Sequence, residues 1–125
     1  MAFVTDNYQL VSLADGESLA ADYESEPHDV RTFDIVCVQA IWTGANSLTL
    51  NSARIWVEGS LDNVNWCNVF PEAAVKQIKE VNGCLMYTYD AVGWVFQRVR
   101  LEHRGCNTGT IKILSFAKRR RANNP

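Results

Sequence analysis

The residues of this 125-residue chain with chemistry to offer are two histidines, four cysteines, four tryptophans and fourteen carboxylates. Nucleophilic, metal-assisted or phosphate chemistry would need these types at defined spacings. The sequence contains no Gly-x-Ser-x-Gly elbow, no His-Glu-x-x-His, no P-loop and no Gly-x-Gly-x-x-Gly. His103 and Cys106 supply two candidate metal ligands in a loop, where a zinc site takes three or four protein ligands. His28, the other histidine, stands alone in a polar stretch. Cys37, Cys67, Cys84 and Cys106 are spaced 30, 17 and 22 apart, with no Cys-x-x-Cys pair, and read as small apolar side chains on strands. Glu24 and Glu26 lie among polar residues, without the apolar surroundings that make a general acid. No catalytic, cofactor-binding or metal residue is assigned. The chain reads as a non-enzyme without a cofactor.

The tryptophans offer a different chemistry, since an aromatic face can stack on a sugar ring or anchor a protein contact. Trp66 reads as a core residue near a strand start. Trp56 and Trp94 fall opposite the cleaner apolar faces of their strands, which makes them candidates for an exposed or interface patch beside Arg98 and Arg100. Charge adds a second set. Residues 1–34 hold eight carboxylates, Glu24 and Glu26 among them, against Arg31 alone. Residues 91–125 hold eight cations against Glu102. The whole chain is nevertheless only −2. An acidic front and a basic back attract each other, within one fold or between copies. The run Lys118-Arg119-Arg120-Arg121 reads as a basic tail, too short for dedicated nucleic-acid binding beyond weak phosphate contact.

Strands must position these groups. Period-two alternation dominates, and 47% apolar with 21% charged residues describes a globular domain rather than a disordered one. Gln9–Leu13 and Ser18–Ala20 form an expected hairpin about Asp15-Gly16, because Asp-Gly suits a type I′ turn. Residues 21–31 are polar and contain Pro27, as a surface loop or arm would. Thr32–Trp42 is the strongest strand, apolar on both faces toward its centre. Further strands are expected at 53–58, 66–70, 84–89, 94–102 and 110–117, with a short irregular piece at 48–50. Pro71–Glu80 is the single helical candidate, with Pro71 suited to a first helical position and Val75 three residues before Ile78, and it reads equally as a strand. The sum is an all-β antiparallel sandwich of about seven or eight strands with at most one short helix. Its expected divisions are an N-terminal hairpin and acidic arm (1–31), a sandwich (32–117) and a basic tail (118–125).

Two stretches carry a family resemblance. Val57-Glu58-Gly59-Ser60-Leu61-Asp62-Asn63-Val64-Asn65-Trp66 resembles the Ser-x-Asp-Gly-x-x-Trp hairpin of discoidin-like and galactose-binding-like sandwiches, with Asn63 in place of the usual turn Gly. Phe96–Glu102 is similar to their late Val-Arg-hydrophobic strand. With Asn107–Ile111 as a last hairpin, the pair also resembles small virion proteins of tailed bacteriophages. The resemblance spans residues 33–117 and implies that the antiparallel sandwich is jelly-roll-like. It further implies a virion structural role, as capsid decoration or cement or as a head–tail or tail component.

The opening residues Met1–Asp6 lack the basic and apolar regions of a signal peptide, and no apolar run suits a bilayer crossing. The expectation is therefore a reduced, non-membrane protein assembled into particles in a host cytoplasm. Its expected partners are copies of itself and other virion proteins such as the major capsid protein. The contact residues would be Glu24, Glu26, Trp56, Trp94, Arg98, Arg100, Lys118, Arg119, Arg120 and Arg121. A stand-alone carbohydrate-binding domain, with a glycan as partner, is the alternative.

Overall fold

A computed structural model describes residues 8–46, 53–71, 75 and 77–119, together with the backbone of Ala2–Val4. The strands are β1 (Ala2–Val4), β2 (Tyr8–Ser18), β3 (Tyr23–Glu24), β4 (His28–Asp29), β5 (Ile35–Thr43), β6 (Ala53–Ser60), β7 (Cys67–Asn68), β8 (Gly83–Asp90), β9 (Phe96–His103) and β10 (Thr110–Lys118). They form two antiparallel sheets. The larger has the order β1-β2-β10-β5-β8, and the smaller has the order β3-β9-β6-β7 with β4 also on β9. Because β3 and β4 are two halves of one interrupted strand along β9, the chain fills the eight positions of a jelly roll, and β1 adds a further edge. The protein is an all-β antiparallel sandwich, and the described residues contain no helix.

Alternation explains the layers. Along β5, Val36, Val38, Ala40 and Trp42 are buried between the sheets, and along β10 Ile111, Ile113 and Ala117 join them. From the small sheet come Ile55 and Val57 of β6 with Val99 and Leu101 of β9. Phe70 closes one side of the sandwich, stacking on Tyr87 at 4.9 Å and meeting Tyr89 edge-on at 5.9 Å. Trp42 lies flat over Gly83, where a Cβ would come within 2.7 Å of the indole.

Two sequence expectations are corrected, and one open alternative is decided. The Asp15-Gly16 turn is a bulge inside one continuous strand, not a hairpin. The register of β2 on β10 passes from Lys112↔Asp15 to Ile111↔Glu17, and Gly16 takes up the extra residue at φ +83°. Left-handed φ is what an Asp-Gly signal specifies, and a glycine bulge uses it as well as a turn does. Residues 8–31 are likewise no arm. β2 pairs along the whole of β10, Leu13, Ala14 and Leu19 are core, and β3 and β4 pair with β9. Of the two alternatives for Pro71–Glu80, the described residues fit the strand and not the helix: Gln77 bridges Arg54, and the Ile78 amide donates to Ala53 at 2.9 Å with Ile78 fully buried. Residues 72–74 and 76 of that segment, and the expected piece at 48–50, lie outside the described residues.

Removing residues 1–25 therefore strips β10 of one of its two neighbours and opens the core. The truncated chain is expected to lose its cooperative thermal transition and its near-ultraviolet circular dichroism. Retention of the full-length Tm would refute the pairing of β2 described above.

Candidate interaction surfaces

The outward face of the small sheet gathers four of the ten candidate contact residues, Glu24, Trp56, Arg98 and Arg100, because β6 and β9 pair with Trp56 opposite Arg100 and Glu58 opposite Arg98, and β3 pairs with β9. Glu58 lies between two cations: Arg98 Nε donates to its Oε1 at 2.8 Å, and Arg100 Nε donates to its Oε2 at 3.1 Å. Arg98 also reaches Glu24 of β3 at 3.0 Å. Each guanidinium then covers an indole. Arg98 sits 4.2 Å over Trp66, and Arg100 sits 5.2 Å over Trp56. The Trp56 indole N–H donates to Glu102 Oε1 at 2.8 Å. Trp56 is consequently buried, at 8% exposure, rather than part of an open patch. Trp66 is half-buried under Arg98 rather than in the core. The expected contact set of Trp56, Arg98, Arg100 and Glu24 thus closes on itself within one chain.

The charge segregation resolves in the same way. Besides Glu24 and Arg98, Asp22 Oδ1 accepts the His103 amide at 2.7 Å. The Asp34 amide donates to the Lys118 carbonyl at 3.0 Å, and Arg119 Nε donates to the Thr32 carbonyl at 3.3 Å. One ion pair, Glu24 with Arg98, joins acidic front to basic back, and these other three bonds run through backbone groups. Glu26, Lys118 and Arg119 remain exposed, while Arg120 and Arg121 lie outside the described residues.

Between the sheets runs a polar network that the sequence did not signal, since Gln97 alternates with valines and reads as one polar residue on an apolar face. Gln97 is fully buried. Its Oε1 accepts from the Tyr89 hydroxyl, and its Nε2 donates to Ser115 Oγ at 2.9 Å and to His28 Nε2 at 3.0 Å. Neutral His28 therefore carries its proton on Nδ1, which is buried with no hydrogen bond among the described residues. Burial pushes the His28 imidazole down to about 4, with Asp29 and Gln97 acting partly against it. Burial likewise raises the Tyr89 phenol. The second histidine is spent differently. His103 Nε2 bonds the Cys106 carbonyl at 2.9 Å, and Cys106 Sγ donates to the Thr108 carbonyl at 3.0 Å. The two side chains thus bond to separate backbone carbonyls.

At one end of the sandwich, the Ser60–Trp66 loop is closed by hydrogen bonds to Asp62. Asp62 Oδ1 accepts the amides of Val64 at 2.9 Å and Asn65 at 2.8 Å, and Oδ2 accepts Asn65 Nδ2 at 2.7 Å. These bonds hold its carboxyl well below the usual carboxylate range. Asn63 takes φ +63°, the left-handed value for which Asn substitutes for Gly. Beside this loop, half-buried Trp94 lies against Gly59, where a Cβ would fall 2.4 Å from the ring. Trp94, Leu61, Asp62, Asn65 and Cys67 line an open hollow of about 360 Å³.

The large sheet turns a different face outward. Leu10, Leu114, Ile35 and Cys37 are half-buried there, next to the more exposed Tyr8, Phe116, Ile41 and Met86. The sequence signalled this in the double-sided apolarity of Thr32–Trp42, and β5 lies inside the sheet between β10 and β8.

No protein-family model matches the chain, and no curated protein matches it. Among solved structures it is similar to one described as "CBM4 structure and function", over 93% of this chain and 70% of that one, with 17% identity and a TM-score of 0.42.

Two outcomes follow from these contacts. Glu58→Ala leaves two half-buried guanidinium groups without their shared anion, and is expected to cost about 3 kcal/mol in urea denaturation. Acid should destabilise the fold through His28. The unfolded imidazole takes up a proton below pH 6.5 while the folded one resists until about 4. Stability is therefore intact above pH 6.5 and falls by up to about 3 kcal/mol as pH drops toward 4. In His28→Gln that limb should be missing from the pH dependence of the urea midpoint.

Proposed function

We propose that this chain is a non-enzymatic structural subunit of a tailed-phage particle, working as capsid decoration or cement or as a head–tail or tail component. The observation that carries the reading is the apolar outward face of the large sheet. A sheet face open to water ordinarily alternates to polar side chains, and an extended apolar one marks a contact surface. The candidate chemical groups support the same reading, because Trp56, Arg98, Arg100, Glu58 and Glu24 are bonded to one another and His103 and Cys106 to backbone carbonyls. The jelly roll supplies a rigid body for such contacts, a form that capsid domains share with lectins and cupins. In this reading the partners are further copies of the chain and virion proteins such as the major capsid protein, and the site of action is the particle.

A second reading, glycan binding, draws on the hollow beside Trp94. An indole with one face on Gly59 and its rim beside Asn65 and Asp62 offers a stacking surface next to polar groups. Asp62 has most of its acceptor capacity occupied by the loop itself, which weighs against it.

One experiment separates the two. The purified chain is pelleted with tailed-phage capsid shells and titrated in parallel with a glycan panel, following tryptophan fluorescence. Saturable, symmetric occupancy of the shells with no glycan response is the expected result. A saturable glycan response that disappears in Trp94→Ala, without shell binding, would replace the structural reading by the second.

A further inference from the structure

The register of the large sheet sorts its outward side chains into a grid. Across β2, β10, β5 and β8 the first row is Tyr8, Lys118, Ile35 and Asp90, and the second is Leu10, Phe116, Cys37 and Thr88. The third is Ser12, Leu114, Gln39 and Met86, and the fourth is Asp15, Lys112, Ile41 and Cys84. The two middle rows hold no charge at all. The four charges stand in the outer rows, two lysines and two aspartates, and so sum to zero. Met86 is the most prominent apolar member, at 57% exposure. Between β2 and β10 the same face has a groove of about 300 Å³ lined by Leu10, Ser12, Asp15, Lys112 and Leu114.

We infer that a second copy of the chain packs on this face, sheet against sheet, about a two-fold axis that runs parallel to the strands between β10 and β5. The inference rests on the assembly reading above and names its first partner. Charge selects the axis. A two-fold across the strands would set Lys118 of one copy opposite Lys112 of the other, a like-charge encounter. A two-fold along the strands returns each row to its own level, exchanging β10 with β5 and β2 with β8. Asp90 of each copy then lies one strand away from Lys118 of its mate, within reach of a lysine side chain. Shape agrees with charge. The same operation lays Met86 of one copy over Ser12 of the other, at the groove, and does so twice.

Size agrees as well. Four strands at about 4.8 Å spacing and four alternate positions at about 6.7 Å cover about 500 Å². The pair thus buries about 1,000 Å², the lower bound for a specific interface. A contact of that size fits a weak, reversible dimer, which repetition in a symmetric shell would reinforce.

The test is sedimentation equilibrium of the full chain under reducing conditions, from low micromolar to several hundred micromolar. The expected result is a reversible monomer–dimer equilibrium, weakened at least tenfold by Met86→Lys with the dilute-solution Tm unchanged. Val92→Lys replaces a still more exposed apolar residue in the turn after β8, off this face, and should leave the equilibrium alone. A wild type that stays monomeric throughout, or a dimer indifferent to Met86→Lys, overturns the inference. If that monomer still binds capsid shells and loses them on Met86→Lys, the face belongs to another protein, and the assembly reading survives without the dimer.

Discussion

The last strand of the chain lies between the first long strand and the strongest one. β10 pairs with β2 on one side and with β5 on the other, over its full length on both. The large sheet has no continuity until residues 110–118 arrive, so the N-terminal and C-terminal thirds are bound together by backbone hydrogen bonds before any side chain is considered. This placement decides the fate of the segregated charge. Carboxylates at the front and cations at the back, far apart in sequence, become neighbours in one sandwich, as Glu24 and Arg98 show at 3.0 Å. Contacts of such sequence separation also make this a topology that closes slowly and all at once.

With the frame closed, the two outward faces divide the labour. The small sheet spends its charge on itself: Glu58 holds Arg98 and Arg100, and each guanidinium seals an indole. A charged surface satisfied in this way is rigid and offers little to a partner, because binding would first break bonds already made. The large sheet does the reverse, keeping charge to its margins. Its middle rows have no internal reason to be apolar, since their core-facing neighbours already fill the sandwich.

The interior carries a cost that packing alone does not require. Gln97, Tyr89, Ser115 and His28 tie β4, β8, β9 and β10 together by hydrogen bonds in a space that valines could have filled. Such a network specifies one register, because a slip of one residue on β9 would turn Gln97 outward and strand its partners. The β4 segment is thereby fastened to the sheet it edges, so residues 21–31 behave as part of the body although their composition is that of a loop.

Period-two alternation was enough to read an all-β antiparallel class and the positions of β5, β6, β8, β9 and β10 directly from the residues, since a strand's two faces are written in alternate positions. Asn63 at a left-handed turn position was equally legible, because few residues tolerate that conformation. Three other features were decided in the tertiary structure. Asp15-Gly16 specifies a local φ but not whether the chain reverses, and only pairing with β10 makes it a bulge. Trp56 and Trp66 carry no mark of exposure, which depends on whether Arg100 and Arg98 fold over them. His28 in a polar stretch looks solvated until β4 pairs with β9 and points it at Gln97. Alternation is local and survives in one dimension; who covers whom is a property of strand order, which no spacing along the chain records.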